Sequence, residues 1–279
     1  MALEPLAARA LRDAAALAQR PGTTATRRRG QGHEIREIRP FTDGDDPRHI
    51  DAAATARIGT PQVRSFHEDR ERNLMLIADF RRPMLWGTAG RLRSVAAAET
   101  LALTGWQATL RGGAVGVVAL TDAGPDVQPS RPRHRGMALA AACLARAHKA
   151  ALDAAHDDAA HDRQTPVRPL DADLIRAARQ VPPGAGIVFA TGLDEPGLDL
   201  DAALAALAAR GPLQLILVED RFETAPPTAP LPYATENGTL FARFTALPGD
   251  RNGRAARLQR PGIQVTRLSS SAPDREALP

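Results

Sequence analysis

The sequence ADFRRPM at residues 78–84 places a carboxylate where a buried strand should end, directly after the apolar run NLMLI at 73–77. An Asp at such a turn, followed by hydroxyl side chains two and four positions later, supplies the oxygen ligands that a hard cation such as Mg²⁺ prefers. Here Asp79 is present, but Arg81 and Pro83 stand at the two hydroxyl positions. We therefore expect no ordinary Mg²⁺ affinity, and we hypothesise that Arg81 pairs with Asp79 and supplies the positive charge instead.

A second candidate for metal chemistry is DAAHDDAAHDR at 153–163, where His156 and His161 lie close to four Asp residues. Imidazole and carboxylate groups bind divalent ions, but this spacing fixes no coordination geometry. We predict a solvated linker between two helices. A metal-dependent hydrolase that uses the two histidines stays open as a weaker alternative.

Motifs of the common enzyme classes are absent from the sequence. There is no GxSxG elbow, no GxxxxGK[ST] phosphate loop, no HExxH, and no glycine triplet opening the first helix of the α/β series. The single cysteine, Cys143, excludes an internal disulfide and a zinc site of several thiolates, and we predict that it is a small core residue. Because nothing specifies a nucleophile, we predict that the protein is not an enzyme.

The charge balance raises the question of nucleic-acid binding. The chain has 36 Lys and Arg against 32 Asp and Glu, a formal net charge of +4, and a pI near 10.3. Lys149 is the only lysine, and a slight Arg excess alone lifts the pI because guanidinium groups titrate so high. The one dense cluster, at 27–29, lacks interleaved aromatic residues. A nucleic-acid-binding protein that uses its Arg excess is the alternative function.

The length and hydropathy bound the fold. The 279 residues, of which 43% are hydrophobic, suffice for one α/β domain with elaborations. No stretch approaches the roughly 20 apolar residues that a membrane span needs, and the N-terminal segment carries charges throughout. We therefore expect a cytoplasmic protein.

The elements that must position the candidate residues fall into two series. Before residue 71 the pattern predicts a helix at 3–19, strands at 33–41 and 62–70, and a short helix that Pro47 opens. From residue 73 onward short apolar strands alternate with amphipathic helices. We expect strands at 73–80, 114–121, 186–191, 212–220 and 239–247, and helices at 90–111, 136–152, 171–180 and 200–211.

This alternation is typical of a mostly parallel sheet that is covered by helices on both faces. Ligands of such sheets bind beyond the carboxyl ends of the strands. We expect Asp171 or Asp173 to cap the helix at 171–180. The expected strand ends carry Asp79, Thr121, Asp122, Thr191, Gly192, Glu219 and Asp220.

The segment at 30–87 is dense in charges that alternate in sign. Bidentate pairs between Arg and carboxylate groups could lock this segment against the α/β domain. An internal clamp and a docking surface are both compatible with the pattern. The charged residues concerned are Glu34, Arg36, Glu37, Arg39, Asp43, Asp45, Asp46, Arg48, Asp51 and Arg57.

The same segment resembles the domain-of-unknown-function family fifty-eight, the von Willebrand factor A-like proteins associated with MoxR-type AAA+ ATPases. The family pattern is a Gly, then EFRELRxYxxGDDPRxIDWxxxAR, a VRxFxxE segment, and a strand that ends in DxSxSMxFG. Ala52 replaces the Trp of this pattern, and the loop aromatic is Phe41. The matching positions are Glu34, Arg36, Arg39, Gly44, Asp45, Pro47, Arg48, Ile50, Asp51, Ala56, Arg57, Val63, Arg64, Phe66, Glu68, Asp79, Met84 and Gly87.

The resemblance implies a metal-ion-dependent adhesion site, in which the Asp-x-Ser-x-Ser loop, a Thr from a second loop and an Asp from a third hold Mg²⁺. The third loop reads Thr191-Gly192 in this chain, so its Asp is missing unless Asp194 reaches back. We therefore expect no bound cofactor. The degenerate site comprises Asp79, Arg81, Pro83, Thr191 and Gly192.

The resemblance implies a von Willebrand A-like α/β domain at 72–222. An N-terminal helix and polar β-rich segment at 1–71 precede it, and a Pro-rich extension with a flexible tail at 223–279 follows. It further implies a non-enzymatic interaction or adaptor protein that works with a MoxR-like AAA+ ATPase on an unidentified client protein. Basic Arg81 and Arg82 would then favour an acidic partner, recognised through surface charge.

Overall fold

The α/β series that starts near residue 73 forms one large sheet in the computed structural model of the chain, and the polar segment before it forms a separate small unit. The small unit is Ala18–Glu71, and the large unit includes Arg72–Pro279. The structure describes residues 35–42, 45–66, 73–88, 90–163, 165–235, 238–243 and 251–271.

The small unit is built on two antiparallel strands, β1 (Ile35–Pro40) and β2 (Gln62–Phe66). Between them a 3-10 turn at Pro47–His49 begins at Pro47, whose fixed φ suits the first position of a helical turn. Helix α1 (Ala52–Ile58) follows. The two strands are confirmed. The short helix that Pro47 was predicted to open is confirmed in part, because the stretch divides into the 3-10 turn and α1, which begins at Ala52. The helix predicted at 3–19 lies outside the described residues.

The large unit is a mixed α/β structure with a six-stranded, mostly parallel sheet. Its strands are β3 (Asn73–Asp79), β4 (Ala114–Thr121), β5 (Gly124–Pro132), β6 (Gly186–Thr191), β7 (Leu213–Glu219) and β10 (Ile263–Ser269). They follow the order β10-β7-β6-β3-β4-β5, and only β5 runs antiparallel to its neighbour. The strands β3 and β4 are almost entirely buried, as expected for strands covered on both faces.

Helices cover both faces of the sheet. Alternate residues of each strand point to opposite faces, so each face presents apolar side chains to the helices that cover it. On one face, helices α2 (Arg93–Leu110) and α3 (Arg133–Ala160) pack on residues such as Leu76. On the other, α4 (Leu170–Gln180) and α5 (Leu200–Ala208) pack on residues such as Phe189. Cys143 is buried among the apolar side chains on the first of these two faces, as predicted.

In the described part of the chain, four shorter elements lie between β7 and β10. Helix α6 (Arg221–Thr224) is a single turn, strands β8 (Leu231–Thr235) and β9 (Gly238–Ala242) form an antiparallel hairpin, and helix α7 (Arg251–Leu258) precedes β10. The strand predicted at 239–247 is therefore confirmed at its beginning. The described residues contain no helix that is long and apolar enough to cross a membrane.

Three sequence predictions are wrong. The stretch at 153–163 is not a linker, because α3 continues through it to Ala160. The α/β sheet extends beyond the predicted boundary at 222, because β10 is one of its edge strands. Neither Asp171 nor Asp173 caps α4, whose cap position is Pro169. Asp173 is instead buried and pairs with two arginines, Arg168 and Arg176.

Candidate functional site

The carboxyl end of β3 carries a buried carboxylate whose acceptor positions are all used. Asp79 Oδ1 accepts from the backbone N–H and Nε of Arg81, at 3.1 and 2.9 Å. Asp79 Oδ2 accepts from Nη2 of Arg81 at 2.8 Å and from the hydroxyl of Thr191, at the end of β6, at 2.7 Å. The hypothesis that Arg81 pairs with Asp79 is therefore confirmed, and the pair is bidentate.

The guanidinium of Arg81 is fully buried and uses all of its N–H groups. Besides Asp79, Nη1 donates to the main-chain carbonyls of Arg168 and Glu195, at 2.6 and 3.2 Å, and Nη2 donates to that of Asp194 at 2.8 Å. Burial by itself would lower the pKa of Arg81, but the hydrogen bonds and charge of Asp79 outweigh it and raise the pKa above its ordinary value. Arg81 is thus a permanent buried cation.

The loop between β6 and α5 bends its carbonyl groups toward this cation. Leu193 and Glu195 both adopt positive φ, 57° and 45°, which is uncommon for residues other than glycine. The hydroxyl of Thr191 anchors the loop by accepting from the N–H of Leu193 at 2.9 Å. Backbone strain of this kind persists only where surrounding contacts maintain it, and here the contacts include those with Arg81.

A second buried arginine, Arg93 at the start of α2, lies behind this loop. Its Nη2 donates to Asp194 at 2.7 Å and to the main-chain carbonyl of Pro83, and its Nη1 faces Glu223 at 3.3 Å. Its guanidinium carbon lies 4.9 Å from the ring centroid of Trp86, within cation–π range. Arg93 therefore links the loops that follow β3, β6 and β7.

The loop after β6, which contains Asp194, does not bring a second carboxylate next to Asp79. The side chain of Asp194 points to Arg93, and only its carbonyl contacts Arg81. Burial raises the pKa of Asp194 despite the opposing effect of Arg93. Gly192 is required by this packing, because a Cβ there would lie 2.5 Å from Asp194 Oδ2 and 2.6 Å from Arg93 Nη1.

A second buried carboxylate, Asp220, lies at the carboxyl ends of β7 and β10 and connects the loops that follow them. It accepts from the N–H of Thr88 at 2.9 Å, the hydroxyl of Thr88, the N–H of Phe222 at 2.8 Å and the hydroxyl of Ser270 at 2.7 Å. Burial would raise the pKa of Asp220, but these hydrogen bonds hold it below its ordinary value. Glu223 completes a capping box by accepting from the N–H of Asp220 at 2.7 Å.

At the end of β4, Asp122 connects two further loops. It accepts from the backbone N–H groups of Arg82 and Arg168, at 2.6 and 3.0 Å. The side chain of Arg82 is partly exposed and pairs with Asp158. The expectation that both arginines face an acidic partner is wrong for Arg81, which is buried and paired.

These residues do not fit Mg²⁺. A magnesium site needs near-octahedral oxygen ligands, yet the carboxylate of Asp79 is occupied by Arg81 and Thr191. The carbonyl of Pro83 accepts from Arg93. Among the described residues, no three His, Cys, Asp or Glu side chains come together as a metal-binding group.

The charged residues of the small unit that match the family pattern form at least one ion pair within that unit. Arg39 makes a bidentate pair with Asp45, at 2.8 and 2.6 Å, and this pair holds the pKa of Asp45 well below its ordinary range. Asp51 caps α1 by accepting from the N–H of Ala54 at 2.8 Å. Arg57 donates to a carbonyl of its own helix. Arg36, Arg48 and Arg64 contribute backbone to the elements around this ion pair, and Glu34, Gly44 and Glu68 lie outside the described residues.

His156 and His161 lie at the exposed end of α3. Nδ1 of His161 is 3.1 Å from Asp157, one turn earlier on the helix. His156 lies on α3 and His161 is its C-cap residue, so neither lies in a linker. The metal-dependent hydrolase gains no support from their surroundings in the described structure.

Sequence reasoning found the Asp79–Arg81 pair and missed the groups that complete the network. Arg93, Thr88 and Ser270 carry no local signal, because their partners are distant in the chain. The spacing of Asp220 and Glu223 is that of a capping box and could have been read from the sequence.

Fold and site together define an α/β protein in which buried ion pairs join the loops at the carboxyl ends of the strands. The chain belongs to the family described as "Protein of unknown function DUF58", whose model matches residues 37–231. Uncharacterized proteins of Mycobacterium tuberculosis and Mycobacterium bovis are 40% identical to it over 76 residues. The match covers 27% of this chain and 24% of each relative, so the chain spans about a quarter of the length of the curated relatives it matches.

Proposed function

We propose that the protein is a non-enzymatic interaction module of the von Willebrand A-like type that works with a MoxR-like AAA+ ATPase on a client protein. The ordered match to the family signature supports this proposal, as does the mostly parallel sheet with helices on both faces. The charged groups at the carboxyl edge are engaged with one another, which favours recognition through loop surfaces over chemistry at Asp79.

The observation that carries the proposal is a loop that is hydrogen-bonded to α4 and presents one exposed apolar side chain. The side chain of Leu198 is fully exposed. The carbonyls of Glu195 and Pro196 accept from the first N–H groups of α4, at 3.0 and 3.1 Å, and Asp171 Oδ2 accepts from the N–H of Asp199 at 3.0 Å. The loop is therefore fixed on both sides of the leucine.

Gly197 allows the tight turn that exposes this leucine. Its φ is 81°, and a Cβ at this position would lie 2.1 Å from Asp171 Oδ2. Any other residue would be strained at this φ and would displace the carboxylate of Asp171, which accepts from the N–H of Asp199. A preorganised loop loses little conformational entropy when it docks, and this low cost increases the affinity of the complex.

The surroundings of Leu198 indicate the chemistry of its partner. Glu195 and Asp199 flank it on the exposed loop. The complementary surface is an apolar pocket bordered by Arg or Lys side chains. Binding should therefore depend on Leu198 and should weaken as salt screens the flanking charges.

The test is direct binding of the purified protein to the MoxR-type ATPase of the same organism, by calorimetry with ATP or ADP present. We expect Leu198→Ser to weaken binding at least about tenfold, because an interface anchor is lost. The matched control is Leu139→Ser, at an exposed leucine on α3, which should leave binding unchanged. Absence of binding by the wild type in both nucleotide states would contradict the proposed ATPase partner, and equal binding by Leu198→Ser would contradict the proposed docking loop.

A further inference from the structure

The guanidinium of Arg81 is enclosed by oxygen atoms from three separate segments of the chain. They are both carboxylate oxygens of Asp79 and the main-chain carbonyl oxygens of Arg168, Asp194 and Glu195, at 2.6–3.2 Å from the guanidinium nitrogens. We call these five oxygens the Arg81 cage. Because one of its members is a full carboxylate, the cage attracts a cation whether or not that cation is attached to the chain.

We propose that Arg81 is the resident cation of a closed ion-binding site, and that removing its side chain converts the cage into a receptor for free guanidinium. The proposal rests on the geometry around Arg81 and is independent of the proposed function.

The arrangement of the cage sets its selectivity. Each oxygen faces a nitrogen of a planar group, so the five oxygens surround a flat, extended cation instead of converging on one point. Mg²⁺ needs oxygens at about 2.0–2.1 Å in an octahedron. The vacated cage should therefore take guanidinium, whose fork geometry matches it, in preference to a divalent ion.

The cage is also held in place from outside. Thr191 anchors the loop that supplies two of its carbonyls, and Arg93 holds the side chain of Asp194. Asp122 accepts from the N–H of Arg168, which supplies the third carbonyl. Because these contacts do not involve the side chain of Arg81, they should preserve the cage when that side chain is removed.

The experiment is thermal unfolding of Arg81→Ala in 0–20 mM guanidinium chloride, far below denaturing concentrations, with NaCl at equal ionic strength as reference. We expect the midpoint of the variant to fall by roughly 6–20 °C, because the buried Asp79 loses its partner. Guanidinium should then raise that midpoint saturably, by about 3 °C or more. EDTA, 5 mM Mg²⁺ and 5 mM Mn²⁺ should leave both wild type and variant unchanged.

The matched control is Arg82→Ala, which removes the neighbouring, partly exposed arginine and its pair with Asp158. Guanidinium should not raise the midpoint of this variant or of the wild type. An equal response of all three proteins, or a larger rise of Arg81→Ala in Mg²⁺ than in guanidinium, would overturn the proposal.

Two readouts cover the case in which Arg81→Ala does not fold in plain buffer. Refolding of the variant only when guanidinium is present would support the proposal, and failure to fold in either condition would count against it. In the wild type, the Nε–H of Arg81 should exchange with solvent far more slowly in ¹⁵N NMR than that of exposed Arg111. Equal exchange of the two would show that the cage is open, contrary to the proposal.

Discussion

At the scale of single residues, Asp79 and Arg81 are each tolerated in the interior only because the other is present. Both side chains are at most 1% exposed, and a charged group in such a place carries a large desolvation cost. Their bidentate contact, with the carbonyl and hydroxyl partners around it, offsets that cost. The pair therefore acts as one unit in folding, and its members cannot be changed independently.

We predict that Asp79→Asn lowers the free energy of unfolding by about 3–5 kcal/mol, because it leaves a buried guanidinium without its carboxylate. The matched control is Asp126→Asn, which breaks the exposed pair between Asp126 and Arg146 and should cost less than about 1 kcal/mol. Urea unfolding of the two variants measures both values. Similar losses for the two would contradict the buried role of Asp79.

A second prediction concerns His148 on α3. Its Nε2 lies 2.9 Å from the hydroxyl of buried Ser94, and its ring packs against Phe80 at 5.2 Å. Burial lowers the pKa of His148 below its ordinary value of about 6.5, so the folded state binds fewer protons than the unfolded state. The stabilisation by neutral His148 is complete above about pH 6.5 and is lost as the pH falls toward the folded-state pKa.

Urea unfolding between pH 5.5 and 7.5 tests this sign. The wild type should lose more free energy of unfolding over that range than His148→Gln, which has no imidazole to protonate. His156→Gln, at an exposed position on the same helix, should keep the wild-type pH dependence. A wild-type slope in His148→Gln would rule out this explanation.

At the scale of elements, the close contact between α2 and α3 depends on a residue without a side chain. A Cβ at Gly105 would lie 2.5 Å from Sδ of Met137 and 3.1 Å from Cδ1 of Leu76. With only 4% aromatic residues, this core is filled by small and aliphatic side chains whose helices approach closely. The space at Gly105 is therefore part of the packing.

We predict that Gly105→Ala lowers the free energy of unfolding by about 1–3 kcal/mol through overpacking. Met137→Ala should cost less in that background than in the wild type, because the two changes share one space. The control is Gly186→Ala, where the nearest atom to a new Cβ would be 3.6 Å away and φ is not positive. Chemical denaturation of the four variants would show additivity if the packing explanation were wrong.

The sequence predicted the central strands better than the edges of the sheet. Strands β4 and β6 have the predicted bounds, because short, almost continuous apolar runs mark buried strands. Strand β5 was missed because its Pro, Asp and Ser residues are typical of a loop, although an antiparallel edge strand tolerates proline. The end of α3 was missed because its Asp and His residues outweighed the high helix propensity of the alanines between them.

The candidate site shows the same division between local and distant information. The Asp79–Arg81 pair spans two positions and could be inferred from spacing. The contacts of Arg81 with Asp194 and of Asp220 with Thr88 join residues more than 100 positions apart. No local pattern encodes such contacts, because they arise only when the loops of different strands meet at one edge of the sheet.

At the scale of the whole molecule, many arginine side chains form ion pairs with carboxylates. In the described part of the chain, many arginines lie within 4 Å of a carboxylate. They are Arg39, Arg81, Arg82, Arg91, Arg93, Arg146, Arg163, Arg168, Arg176, Arg260 and Arg267. In the part of the chain that the structure describes, many of the guanidinium groups that raise the pI are therefore paired with carboxylates.

We predict no measurable binding to random-sequence duplex DNA at 50 mM salt, by fluorescence anisotropy with micromolar protein. Paired arginines release few counterions from phosphate, so the electrostatic driving force is small. A DNA-binding domain of similar size serves as the positive control. Binding that falls steeply with salt concentration would instead favour the nucleic-acid alternative.

The position of β10 has a consequence for the newborn chain. Strand β7 is buried and apolar, and its outer partner in the sheet is β10, paired from Ile263 to Ser269. A ribosome adding roughly 5–20 residues per second takes about 2.5–10 s to pass from Glu219 to Ser269. During those seconds β7 has an unprotected edge that another chain could pair with. Any requirement for a chaperone during biosynthesis should therefore fall in this interval, when the apolar strand β7, instead of β10, forms one edge of the sheet.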